Sequence, residues 1–261
     1  MNSNATHIRT AAVHPRPTSP GGIIELPPAE KAQVWIDFDG TITRCDVLDE
    51  LIQQFSVDES WKRVEQEWQA GRIGSFECLT QEFALLRITA AELDRFLDSI
   101  PIDDGAGELL QLLRQFEVPF AILSDGVDRF IRRILGRLGI ADVIIRSNAV
   151  VHSGTRLRLR CPHRHPECDV AAAHCKCASA ESLLQPGRTS IYIGDGRSDL
   201  CPARKAGVVF AKGTLARCLR AERNPFRTFD SLSDVAAALR ASWSVDPRVL
   251  QGVLCERTTL P

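Results

Sequence analysis

Residues 34–43, VWIDFDGTIT, place two carboxylates, Asp37 and Asp39, inside an apolar run. A buried strand favours Val or Ile at such positions, so the two acids need a reason. One reading is that Asp-Gly marks a hairpin turn. The other is that the chain gathers acids where a reaction needs them.

The surrounding pattern bears on that choice. After residues 33–38 comes a helical region, 46–100, in which DVLDELIQQF, VDESWKRVEQEWQAG, SFECLTQEFALL and AAELDRFLDSI repeat apolar residues at three- and four-residue spacing. Ser75 and Thr89 are candidate N-caps. Strand–helix alternation then resumes through VPFAILSDG, RFIRRILGRLG, ADVIIRS, TSIYIGDG and VVFA. This is the pattern of βαβ units and a parallel sheet covered on both faces. SNAVVHSGTRLRLR interrupts it as a β-hairpin around Ser-Gly.

The expected fold is therefore α/β: a doubly wound parallel sheet with a small helical insertion, a cap, after the first strand. The core is expected over 31–45 and 101–240, with a hairpin and Cys/His-rich insertion near 147–177, and the cap over 46–100. Residues 1–30, rich in Pro, Ser, Asn and Thr, read as a disordered N-terminal tail, and 241–261 as a C-terminal tail.

Composition excludes several classes. The 261 residues carry a net charge of −1, which gives no overall attraction to nucleic acid. No apolar run approaches the ~18 residues of a membrane span. No secretion signal precedes the first strand, so a cytoplasmic protein is expected. Its nine cysteines are then expected to be thiols or metal ligands, not disulfides.

Ligands of open α/β sheets bind beyond the carboxyl ends of the strands. That rim would collect Asp37 and Asp39, Ser124 with the backbone of Asp125 and Gly126, and Asp195, with Asp199 one helical turn further. Like charges ~4 Å apart repel by about 4 kcal/mol at an effective dielectric near 20. Such a cluster calls for protonation or a bridging cation, and hard oxygen ligands suit Mg²⁺. Lys176 is the only lysine between Ser124 and Asp195 and could neutralise a nucleophile and grip a phosphoryl group.

Together these are the parts of phosphoryl transfer to a carboxylate. Asp37 is the candidate nucleophile and Asp39 the candidate general acid/base. Asp37, Asp39 (through its backbone carbonyl) and Asp195 are the candidate metal ligands. Ser124, Asp125, Gly126 and Lys176 are the candidate phosphate-binding residues, with Ser124 and Lys176 counted among the catalytic group and Asp199 behind it. The expected partner is a small phosphorylated metabolite, with no nucleic acid and no membrane.

DFDGT at 37–41, Ser124 of ILSDG, Lys176, and GDGRSD at 194–199 occur in an order that resembles the haloacid dehalogenase superfamily, specifically its phosphatases with a helical cap after the first strand. The resemblance spans about 33–239. It implies a Rossmann-like core, Mg²⁺, an aspartyl-phosphate intermediate and a cap that closes over the substrate. Asp39 is the acid/base that dehalogenases lack. CPHRHPECDVAAAHCKC resembles the 2-hydroxy-3-keto-5-methylthiopentenyl-1-phosphate phosphatases of methionine salvage, whereas GDGRSDLCPA also resembles phosphoethanolamine/phosphocholine phosphatases. Phosphoserine phosphatases fit less well. They use a glutamate where this chain has Asp46, and an arginine in the cap that 74–86 lacks. A degenerate member that only binds a phosphorylated ligand is a further alternative, opposed by the intact set of Asp37, Asp39, Lys176 and Asp195.

Three other features of the sequence stand out. Cys161, Cys168, Cys175 and Cys177, with neighbouring histidines, could hold a structural Zn²⁺, although their spacing matches no familiar finger. Arg156, Arg158 and Arg160 alternate with leucines and read as a solvated strand face. Trp61, Trp68, Phe76 and Phe83 could line a pocket for an apolar substrate tail or form the cap's own core.

Overall fold

A computed structural model describes residues 24–244. Of the expected tails at 1–30 and 241–261, residues 1–23 and 245–261 lie outside the described residues.

Seven strands form one sheet in the order β4-β3-β2-β1-β5-β6-β7. They are β1 (Ala32–Ile36), β2 (Phe120–Val127), β3 (Ile144–Ser153), β4 (Arg156–Arg160), β5 (Thr189–Gly194), β6 (Val208–Ala211) and β7 (Arg227–Thr228). All pairings are parallel except β3 with β4. β1 lies centrally, pairing Ile36 with both Ile122 and Ile193. The carboxyl ends of β1, β2 and β5 are therefore neighbours.

Period-two alternation splits the core. Val34, Ile36, Ile122, Ile191 and Ile193 join one buried cluster, while Trp35, Ala121, Leu123 and Tyr192 join another. The first face is covered by α5 (Ala106–Gln115), α6 (Asp128–Gly136) and α10 (Leu232–Trp243). The second is covered by α7 (Lys176–Leu183), α8 (Leu200–Lys205) and α9 (Gly213–Ala221).

Between β1 and α5 run α1 (Val47–Phe55), α2 (Ser60–Gln69), α3 (Ser75–Leu85) and α4 (Ala90–Ser99). Asp46 caps α1 by accepting from the Leu48 and Asp49 N–H groups at 2.9 and 3.1 Å. Thr89 caps α4 in a reciprocal pair with Glu92, as its position predicts. Ser75 does not cap. Gly74 holds that position, and Ser75 Oγ accepts from Ala173 N at 2.9 Å, joining cap to core. The apolar faces of α1, α3 and α4 enter the same buried cluster as the sheet, through Leu51, Ile52, Phe83, Leu93 and Phe96.

The hairpin is present, but its first arm is not a separate element. β3 pairs parallel with β2 up to Asn148 and antiparallel with β4 from Ala149 onward. Segments that read as two are one strand, because the change of partner, not a turn, alters the polarity pattern. Arg156, Arg158 and Arg160 are exposed on β4, as a solvated face requires.

The boundaries also shift at both ends. The last helix runs beyond Arg240 to Trp243, which is buried. Its indole donates to Pro27 O at 2.9 Å and its ring lies 5.7 Å from that of Phe116. Ile24 and Leu26 are partly buried against the core. Residues 24–30 thus belong to the packed structure, which their proline-rich composition conceals.

Buried Asp103 holds two elements together, since one Oδ1 accepts from Gly105 N at 2.9 Å and Leu232 N at 3.0 Å. Asp103→Ala should strand both donors and cost about 3 kcal/mol. An unchanged urea midpoint in that variant would refute the assignment.

Candidate active site

Asp37 directly follows β1, and its N–H donates to Ile193 O at 2.9 Å, so the first acid sits directly against β5. Gly40 then turns the chain at φ +70, and a side chain there would meet Asp195 Oδ2 at 2.5 Å. Asp195 follows β5, with Oδ1 accepting from Thr41 Oγ1 at 3.1 Å. The first and last motifs meet across one turn.

Lys176, the first residue of α7, fills the space behind them. Its Nζ donates to Asp37 Oδ1 at 2.6 Å, Asp199 Oδ1 at 2.7 Å and Ser198 Oγ at 3.1 Å. Lys176, Asp37 and Asp199 are all buried. Tyr192 OH also donates to Asp199 Oδ1, at 2.7 Å, and the Asp195 and Gly196 N–H groups donate to Asp199 Oδ2 at 3.1 and 3.0 Å. Asp199 is thus consumed in fixing the lysine and the turn after β5. Burial pulls the Lys176 ammonium down, but the Asp199 and Asp37 carboxylates together hold it well above its ordinary value. Burial and Asp199 push Asp37 up, against the pull of Lys176. Asp195 is pushed up to about 6 by burial and by Asp199.

Asp39 has a different setting. Its Oδ1 accepts from Val47 N at 3.1 Å, at the start of α1, and its Oδ2 accepts from Ser124 Oγ at 3.0 Å. Burial, with Asp46 adding to it, raises Asp39 to about 7. Ser124 is fully buried behind Asp39, and its Oγ accepts from Gly126 N at 2.8 Å. Two expectations change here. β2 continues through these residues with a register shift between Leu123 and Val127, and the Gly126 N–H already serves Ser124. Asp125 Oδ1 accepts from His174 N at 3.1 Å.

His174, one of the histidines beside the candidate zinc cysteines, is instead buried beneath this rim. Its Nδ1 lies 2.8 Å from Ser124 O, so that nitrogen carries the proton, and Nε2 accepts from Ser179 Oγ at 2.7 Å. Burial drives its pKa down to about 3, keeping it neutral. It buttresses β2 against α7. Its two-residue distance from Lys176 was the available signal.

A chamber of about 150 Å³ opens between rim and cap. Asp37, Asp39, Lys176 and Asp195 face cap residues Asp46, Asp49, Glu65, Trp68 and Glu82 across it. Trp68 is the aromatic that reaches the chamber, whereas Phe83 is buried in the core and Phe76 lies under the Arg164 guanidinium. Glu82 is buried and pushed up to about 8, by desolvation and then by Glu65.

Two donor groups among the described residues could hold a metal ion. One is Asp37, Asp195 and Asp199, with oxygens within 4.8 Å of one another, and the other is Glu65, Cys78 and Glu82 in the cap. In the first, Asp199 is engaged by four donors, but no hydrogen bond among the described residues occupies Asp37 Oδ2 or Asp195 Oδ2. Two open anionic oxygens fit a hard divalent cation.

The zinc expectation fails. Cys177 is bonded to Cys201, which also overturns the expectation of a chain without disulfides. Cys161, Cys168 and Cys175 are free thiols, and none of the four belongs to either donor group. The cysteine paired with Cys177 lies 24 residues on, in GDGRSDLCPA.

The haloacid dehalogenase-like hydrolase family model matches residues 34–204. The chain belongs to that family of hydrolases. It is 32% identical over 210 residues to a 2-hydroxy-3-keto-5-methylthiopentenyl-1-phosphate phosphatase of Exiguobacterium sp., covering 78% of this chain and 95% of the relative. A protein of the same name from Bacillus mycoides is 28% identical over 211 residues, covering 80% and 95%. Among solved structures, a phospho-aspartyl intermediate analogue of phosphoserine phosphatase superposes with a TM-score of 0.62 at 20% identity, covering 80% of this chain and 98% of the other. That likeness concerns the fold. No helix among the described residues is long and apolar enough to cross a membrane.

Asp39, Asp125, Asp195 and Glu82 bind protons more tightly when folded than when unfolded, at about 7, 6, 6 and 8. These four carboxyls therefore contribute stability that is fully present below pH ~4 and lost progressively as pH rises to about 8, while neutral His174 acts in the opposite sense only as pH falls below about 6.5. In chelator, the thermal midpoint should be higher at pH 5.5 than at pH 8, and Mg²⁺ should raise the latter. A midpoint that climbs with pH in chelator would contradict this charge balance.

Proposed function

We propose that the protein is a Mg²⁺-dependent phosphatase that hydrolyses a small phosphomonoester through an aspartyl-phosphate intermediate. The observation that carries this reading is the pairing of Lys176 Nζ with Asp37 Oδ1 at 2.6 Å, with Asp39 on the same rim. An ammonium held there offsets charge on a nucleophile and on an incoming phosphoryl group.

Asp37 attacks phosphorus in line, forming an acyl phosphate as the bond to the leaving oxygen breaks. Asp39, protonated near pH 7, gives its proton to that oxygen. It then takes a proton from the water that attacks phosphorus, releasing inorganic phosphate and restoring Asp37. Asp37, the Asp39 carbonyl and Asp195 would hold the Mg²⁺, which when bound supplies charge neutralisation at the phosphate. Ser124 holds Asp39 in place, and Asp125 lines the chamber.

The leading substrate is 2-hydroxy-3-keto-5-methylthiopentenyl-1-phosphate, after the named activity of relatives that share about four-fifths of the chain. A second reading rests on the cap wall. Asp46, Asp49, Glu65 and Glu82 beside Trp68 suit an ammonium-bearing ester such as phosphoethanolamine or phosphocholine.

Release of phosphate from p-nitrophenyl phosphate should require Mg²⁺. Asp37→Asn should lower kcat at least ~10³-fold and Asp39→Asn ~10²–10⁴-fold. Normal turnover by Asp37→Asn would refute the nucleophile, and no turnover by the wild type would favour a binding protein. A panel of phosphorylated metabolites then ranks the methylthio-pentenyl ester against the amine esters by kcat/KM.

A further inference from the structure

The Cys177–Cys201 disulfide stands at a particular place. Cys177 follows Lys176, and Cys201 lies two residues after Asp199. The noncovalent contacts of Lys176 with Ser198 and Asp199, in the turn just before α8, therefore run alongside a covalent one from α7 to the first turn of α8. We infer that Cys177 and Cys201 are positioning residues, and that their disulfide clamps the lysine of the proposed phosphoryl site so that turnover depends on redox state.

The need for a clamp follows from the local structure. α7 has eight residues and α8 six, too short to hold their place without tertiary contacts. α7 brings the ammonium to the rim from its first residue, where helix ends fray. Its sequence, KCASAESL, offers few large apolar anchors on the helix itself. The disulfide ties its first turn to the first turn of α8. A displacement on the order of 1 Å at a reacting centre can cost ~10²-fold in rate.

The bond is also within reach of a reductant. Cys201 is exposed, and Cys168, Cys175, Cys177 and Cys201 all line one cleft of about 570 Å³ that also contains Lys176. A dithiol reacts there by ordinary exchange. Its thiolate attacks Cys201 Sγ, the S–S bond breaks, and Cys177 leaves as a thiolate that takes up a proton. The second thiol of the reductant then attacks the mixed disulfide and frees Cys201. Two electrons and two protons pass from the dithiol, which ends as its own disulfide. Cys168 and Cys175 are free thiols in the same cleft.

The clamp rests on the phosphatase reading only for its effect on turnover, so the test has a readout independent of activity. Protein purified without reductant is mapped by non-reducing peptide mass spectrometry. It is then assayed with p-nitrophenyl phosphate and Mg²⁺ before dithiothreitol, after it, and after reoxidation. In parallel, amine acylation is quantified at Lys176, with circular dichroism confirming a folded chain. The expected result is a Cys177–Cys201 peptide pair, a roughly tenfold reversible fall in kcat on reduction, and faster Lys176 acylation in the reduced folded protein. Cys201→Ser should match the reduced wild type and ignore dithiothreitol. Loss of fold in that variant leaves the wild-type reduction series decisive.

Free thiols at both positions in the unreduced protein would overturn the inference. So would unchanged kcat together with unchanged Lys176 labelling after reduction. If the unreduced protein hydrolyses no phosphomonoester but Lys176 labelling still rises on reduction, the clamp stands and the phosphatase reading falls.

Discussion

The site depends on one buried ammonium. Lys176 carries its charge into a buried position, and that is tolerable because Asp37 and Asp199 meet it at 2.6 and 2.7 Å. The dependence is mutual. Without the lysine, Asp37, Asp195 and Asp199 would face one another with only Thr41, Tyr192 and backbone donors between them. A buried pair of this kind adds little net stability, because desolvating the ions opposes their attraction. Its value lies in geometry, since it fixes the orientation of Asp37 before any substrate arrives.

The backbone has to cooperate for those charges to meet. Asp199 Oδ2 lies so close to Gly194 that a methyl group there would sit 2.5 Å from it, and Gly40 is under the same constraint from Asp195. Small residues at these points let carboxylates fold back over the strand ends. The sheet order supplies the rest. With β1 between β2 and β5, the three chain segments at the site end side by side, although Asp39 and Ser124 are 85 residues apart and Thr41 and Asp195 are 154 apart.

Much of this was legible because it depends on short-range pattern. Apolar runs ending in acids marked β1 and β5, and the only lysine in a long interval marked Lys176. What escaped had no local signature. Asp199 read as a supporting acid, but nothing in GDGRSD shows that Tyr192 and two backbone N–H groups would consume its oxygens. The Cys/His-rich segment looked like one ligand set because its residues are close in sequence. Instead, Cys177 bonds across to α8 and His174 turns inward to Ser124 and Ser179. Ser75 was a plausible cap by type, yet its oxygen was claimed by Ala173. Propensity describes a residue's neighbours in the chain, and each of these outcomes was decided by neighbours in space.

Asp37 and Asp39 illustrate how two identical side chains acquire different chemistry. Both are pushed upward by burial, but Asp37 has a cation against one oxygen. Asp39 instead accepts only from a hydroxyl and from one N–H at the start of α1, with Asp46 nearby to disfavour its charge. An acid poised near neutrality beside one paired with a lysine is the environment that separates a proton donor from an attacking carboxylate. The donors that hold Asp39 come from β2 and the cap's first helix, so cap and core both contribute to its placement. The cap, inserted between the two aspartates and the rest of the sheet, thereby helps to place the Asp39 carboxyl as well as the wall opposite it.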